Sequence, residues 1–140
     1  MTQGEQQIQD IVLRLCTQAI KEAEPYILDY SEKSVAVLDK VLRRHQKELR
    51  DKQDKDEEMW QLTSIYGAYI GTMLLSKGLS RCGYAWNLTK ENLLVLQSDA
   101  RSLSPLAKVY HCLCDGERIE SFYHGALALA REESAKQGRL

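Results

Sequence analysis

Apolar residues recur at three- and four-residue steps along most of this chain, and at two-residue steps over one short stretch. Ile8, Ile11, Val12, Leu15, Ala19 and Ala23 form one stripe, which predicts a first helix from about Glu5 to Ala23. Pro25 ends it. Val35, Leu38, Leu42, His45 and Leu49 predict a second helix, with Ser31 as its N-cap. Met59, Leu62, Ile65, Tyr66, Tyr69, Ile70, Met73 and Leu74 are apolar over a wide arc. They predict a central helix from Met59 to Lys77, closed by Gly78. Gly67 and Gly71 lie one turn apart within it, and each costs roughly 1 kcal/mol against Ala. Close approach of another element over that smooth face is the expected compensation.

The period then changes. Cys82, Tyr84, Trp86 and Leu88 alternate with smaller or polar residues, which predicts a strand. Thr89–Asn92 reads as a turn and Leu93–Gln97 as a second strand, with a third extended segment near Ala100–Leu103. Ser104-Pro105 is an N-cap followed by proline at the first helical position. The helix it starts buries Leu106, Val109, Tyr110 and Leu113, and Asp115-Gly116 stops it. A last helix is expected from Glu117 to Glu133, with Ile119, Phe122, Tyr123, Ala126, Leu129 and Ala130 inward, and residues 134–140 as a frayed tail. The expected fold is α+β: about five helices packed with an antiparallel hairpin or three-stranded sheet.

Between Arg43 and Glu58 six basic residues face six acidic ones. Opposite charges fall four apart at Glu48/Lys52, Lys47/Asp51, Arg50/Asp54 and Asp51/Lys55, which favours a solvated helical end. One unbroken helix from Ser31 to Lys77 would be roughly 70 Å long. A domain of this size has a radius of gyration of about 14 Å. A break between Arg50 and Glu58 is therefore expected.

The 140 residues suit one domain, 1–140, able to fold without a metal or disulfide. Nineteen basic and twenty acidic residues nearly cancel, which argues against nucleic acid or anionic lipid as a partner. No signal peptide or membrane span is apparent, so a cytoplasmic location is expected. Monomer and homodimer both remain open.

The chemistry-bearing residues give no complete constellation. His111, Cys112 and Cys114, with Cys82, His45 or His124, suggest zinc ligands. On a helix, however, Cys112 and Cys114 point roughly 200° apart. A Cys112 or Cys114 nucleophile served by His124 has no orienting partner in the sequence. The expectation is no catalytic residue, no metal and no cofactor. The tyrosines are less ordinary, seven against one phenylalanine. Tyr66, Tyr69, Trp86, Tyr110 and Tyr123 are the candidate binding residues, as a contact surface for another protein. The alternative is a small-molecule cleft or minor enzyme site between the central helix and the hairpin.

One order of motifs resembles a group of uncharacterised bacterial domains. Tyr66-Gly67-Ala68-Tyr69-Ile70-Gly71 is followed by Trp86-Asn87-Leu88, Leu94-Val95-Leu96 and Leu103-Ser104-Pro105 leading to Lys108-Val109. Ser34 to Leu42 looks like the preceding helix of that group. The resemblance spans Tyr30 to Tyr123. Some members look associated with toxin–immunity systems, which implies binding of a partner protein. The acidic residue that often follows the second glycine there is Thr72 here, so any role of that acid is missing.

Overall fold

The structure, a computed structural model, describes residues 2–136. The elements run α1 (Gln3–Glu22), α2 (Lys33–Arg50), α3 (Asp56–Leu74), β1 (Ala85–Leu88), β2 (Leu94–Gln97), β3 (Ser102–Leu103), α4 (Pro105–Asp115) and α5 (Ile119–Lys136). The fold is α+β. The sheet is antiparallel in the order β1-β2-β3, with Trp86 opposite Leu96 and Leu96 opposite Leu103.

Helix α3 is the axis of the molecule. Ile65, Tyr66, Ala68, Tyr69, Ile70, Met73 and Leu74 are fully buried, so the helix is covered on nearly every side. Its two glycines are the contact points. A Cβ on Gly67 would stand 2.6 Å from Leu106 Cδ1, and one on Gly71 would stand 2.3 Å from the Trp86 ring. The expected close approach is therefore made by α4 at one notch and by β1 at the next. The main core gathers α2, α3, α4 and α5 with Ala19 of α1 and Leu96 of β2, and a smaller cluster of Val12, Cys16, Ala68, Leu94 and Leu106 lies between α1, α3, the hairpin and α4.

Several local expectations need correction. Ser31 does not cap α2: the helix begins at Lys33 with no side-chain cap, and Ser31 donates instead from its amide (3.1 Å) and hydroxyl (2.6 Å) to Asp29. The chain leaves the helix at Asp51, so among the described residues none of the four expected (i, i+4) ion pairs forms. Lys52 reaches across the break to Glu58 at 2.8 Å. Helix α3 starts earlier than expected, at Asp56, and passes into a π-helical turn, Leu75–Leu79. Cys82–Tyr84 belong to a turn rather than to β1, because the amides of Cys82 and Tyr84 are both drawn to the Leu79 carbonyl.

The start of α4 is as expected, with Ser104 Oγ accepting from the Ala107 amide at 3.1 Å. Gly116 closes it in the left-handed conformation, φ 75°. Helix α5 is capped by α2: the buried Asp39 carboxylate accepts from the amides of Ile119 (2.7 Å) and Glu120 (3.2 Å). The expected tail begins too early, since α5 continues to Lys136 and Ser134 is buried. Residues 137–140 lie outside the described residues. Among the described residues no helix is long and apolar enough to cross a membrane.

Candidate functional site

The five residues singled out as a binding surface do not come together. Tyr66, Tyr69 and Tyr123 are fully buried, and each hydroxyl is engaged in a different part of the core. Tyr69 accepts from the Tyr30 amide at 2.8 Å and lies 2.9 Å from Ser34 Oγ, with the Tyr30 ring stacked on its own. Tyr123 donates to Glu32 at 2.7 Å. Tyr66 lies 2.8 Å from His45 Nε2. Burial pushes all three phenols above their ordinary value, so they stay protonated donors. They are satisfied core residues and cannot touch a partner. Trp86 is half-buried and fills the Gly71 notch, which leaves no cleft between α3 and the hairpin at Tyr66 and Tyr69. Tyr110, expected on the buried face of α4, is instead 45% exposed.

Tyr110 leads to the surface that the periodicity does not reveal. Trp60 in the first turns of α3 is 50% exposed, and Leu93 at the hairpin turn is 39% exposed. Two cavities of about 270 and 360 Å³ flank this pair and share Trp60, Leu93, Leu94 and Leu106. The first opens towards Tyr110 and His111 on α4, the second towards Ile11 and Leu15 on α1. The walls are mainly apolar, and the smaller hydrophobic cluster lies beneath them. Thr63 lines the first cavity; its hydroxyl is buried and has no hydrogen-bond partner among the described residues. Its neighbour Ser64 bonds back to the Trp60 carbonyl at 2.9 Å, as helical hydroxyls often do. Nothing in the sequence marked Trp60, since a single tryptophan after a charge run fits a buried helix face equally well.

A different surface adjoins the same stretch of α3. Glu22, Glu48, Asp54, Glu57 and Glu58 ring a cavity of about 470 Å³ with His45 in its wall. His45 Nδ1 lies 3.2 Å from the Glu48 carboxylate, which can only accept. Nδ1 therefore carries the proton, and Nε2 accepts from the Tyr66 hydroxyl. Burial and then the Arg44 charge hold His45 below its ordinary value, so the ring is neutral at pH 7. Lys52 pairs with Glu58, while the Arg44 guanidinium is occupied by the carbonyls at the end of α1, including Glu22 O at 2.9 Å. Among the described residues, Glu22, Asp54 and Glu57 have no cation within ion-pair distance.

The discounted zinc and nucleophile arrangements are dispersed. Cys112 faces the core and burial pushes its thiol up to about 12. Cys114 is exposed, while Cys16, Cys82 and Cys112 are buried. His124 is also exposed. His111 instead meets Asp115 and Glu117, all exposed, with ligand atoms within 4.8 Å of one another. Those charges are already matched internally: His111 Nδ1 engages Asp115, and Lys108 engages Glu117.

Searches against protein families, curated proteins and solved structures found no match to this chain.

Proposed function

We propose that this chain is a protein-interaction module whose contact surface is centred on Trp60, Leu93 and Tyr110. One observation carries the reading. Three large apolar side chains, two of them aromatic, stand exposed around a pair of connected apolar cavities. Exposed apolar patches on rigid elements are characteristic of binding surfaces, and tryptophan and tyrosine dominate binding energy at such surfaces. The resemblance to bacterial immunity-associated domains points the same way, towards an accessory or immunity-type role in a bacterial cytoplasm.

The test compares capture by the wild-type chain with capture by Trp60→Ala and Tyr110→Ala. A protein retained by the wild type and lost with either variant supports the reading. Equal retention by all three excludes this surface. Both substitutions remove exposed side chains, so melting temperatures should stay close to wild type.

A second reading rests on Trp86. A cavity of about 370 Å³ between α1, α3 and β1 is lined by Val12, Cys16, Tyr30, Thr72 and Trp86. The buried indole N–H of Trp86 has no acceptor among the described residues. A small apolar ligand bearing a hydrogen-bond acceptor fits that chemistry. Thermal-shift screening of such compounds against the wild type and Trp86→Phe tests it. Hits that survive the loss of the indole N–H argue against the site.

A further inference from the structure

The second apolar cavity, of about 360 Å³, and the acidic cavity share two walls, α1 and α3. On α1, Leu15 lines the apolar end and Glu22 the acidic end. These residues are two turns apart, about 10 Å along the helix. On α3, Trp60 and Ser64 line the apolar end, while Glu57 and Gln61 line the acidic end. At 100° per residue, Glu57 lies about 60° from Trp60 and about 20° from Ser64 around the helix. Glu57 is therefore the ridge between the two faces. The seam between α1 and α3 thus runs from an apolar half to an anionic half within two helical turns.

We infer that the natural occupant of this seam is a basic amphipathic segment of a partner protein, with an apolar anchor beside Trp60 and a lysine or arginine about 10 Å away among Glu22, Asp54 and Glu57. This rests on the interaction-surface reading above and adds the chemistry of the partner. Charge complementarity decides the occupant. Five carboxylates ring the anionic end, and Lys52 is the one side-chain cation in ion-pair contact with any of them among the described residues apart from His45, which is neutral at pH 7. Glu22, Asp54 and Glu57 have no cation within ion-pair distance among the described residues, so an incoming cation is attracted to them. An acidic segment would be repelled by them, and a wholly apolar one would leave them unpaired. A guanidinium suits the site best, because its fork can engage two carboxylates at once. The apolar end supplies the complementary half. Cavities of about 270 and 360 Å³ accept one bulky side chain each, and the unpartnered Thr63 hydroxyl lies at the wall of the first.

The experiment is selection of a random phage-displayed peptide library on the full chain, with counter-selection on Trp60→Ala. The expected result is enrichment of peptides pairing an aromatic or aliphatic anchor with Arg or Lys one to two helical turns away. A synthetic peptide of that consensus should bind at least tenfold more weakly to the triple variant Glu22→Gln, Asp54→Asn, Glu57→Gln. It should bind normally to the charge-matched control Glu5→Gln, Glu120→Gln, Glu132→Gln. Its affinity for the wild type should also fall as salt rises. An enriched consensus without a basic residue, or equal weakening by both triple variants, overturns the basic occupant and leaves the Trp60 surface standing. A concentration-dependent dimer that Trp60→Ala abolishes makes a second copy the occupant and likewise overturns it. No enrichment over the Trp60→Ala counter-target overturns the basic occupant and the interaction surface together.

Discussion

Gly71 and Gly125 are both helical glycines, and their surroundings set opposite outcomes for the same substitution. A Cβ on Gly71 meets the Trp86 ring at 2.3 Å, while one on Gly125 meets nothing within 4 Å. Gly71→Ala should therefore cost about 2 kcal/mol through overpacking. Gly125→Ala should stabilise by about 0.5–1 kcal/mol through backbone entropy alone. Urea unfolding of the two variants checks both, and a neutral Gly71→Ala would mean that Trp86 can withdraw from the notch. His45 gives a pH signature. Its folded pKa lies below the ordinary 6.5 because of burial and Arg44. As pH falls through 6.5 the unfolded chain binds a proton that the folded chain refuses, so stability drops, and the loss levels off below the folded pKa. His45→Gln removes that component. Between about pH 7.5 and 5.5 the variant should lose stability less steeply than the wild type, and equal slopes in urea titrations would contradict this.

The starts of α4 and α5 were each set by the side chain that satisfied their free amides, and the origin of that side chain explains where sequence reasoning succeeded. The α4 start was legible because Ser104 caps its own helix three residues on, as local chemistry dictates. The α5 start was not, because its cap comes from Asp39, 80 residues earlier in the chain. Asp39 looks like any polar residue of an amphipathic helix until α5 packs against it. Asp39→Ala should cost about 1–2 kcal/mol and should weaken amide-exchange protection at Ile119 and Glu120 first. Uniform loss of protection across all helices would show that Asp39 acts otherwise. Ser31 illustrates the reverse case: a good N-cap residue was taken by Asp29 two positions away, an ordinary Asx-type turn.

Across the whole molecule, the two tryptophans differ in how far the fold encloses them. Trp86 lies against α3 and fills the Gly71 notch, so Trp86→Ala should cost about 3 kcal/mol or more. Trp60 is half-exposed, so Trp60→Ala should change stability by less than about 0.5 kcal/mol. Acrylamide should quench Trp60 fluorescence more readily than that of Trp86, measured on single-tryptophan variants. Comparable quenching would place Trp60 in the core and remove the interaction surface. The larger apolar cluster holds most of the buried residues, whereas Leu94 and Leu106 of the smaller one border the cavities beside Trp60.

Period and punctuation along the chain determined the five helices, the hairpin, the break after Arg50 and the glycine notches, because each of these is encoded in residues a few positions apart. Those signals repeat locally, and burial merely selects the face they already define. The candidate site was a different matter. Tyrosine content pointed to Tyr66, Tyr69 and Tyr123, yet a tyrosine on an apolar face reads the same whether its hydroxyl meets water or a buried Ser, His or Glu. Only the packing of α2 and α5 onto α3 supplied those partners and closed the tyrosines away. The same packing left Trp60 uncovered, because the hairpin turn stops at Leu93 and α4 turns Tyr110 outward. Exposure is a property of what does not pack against a residue, and that is decided by contacts between elements far apart in the chain.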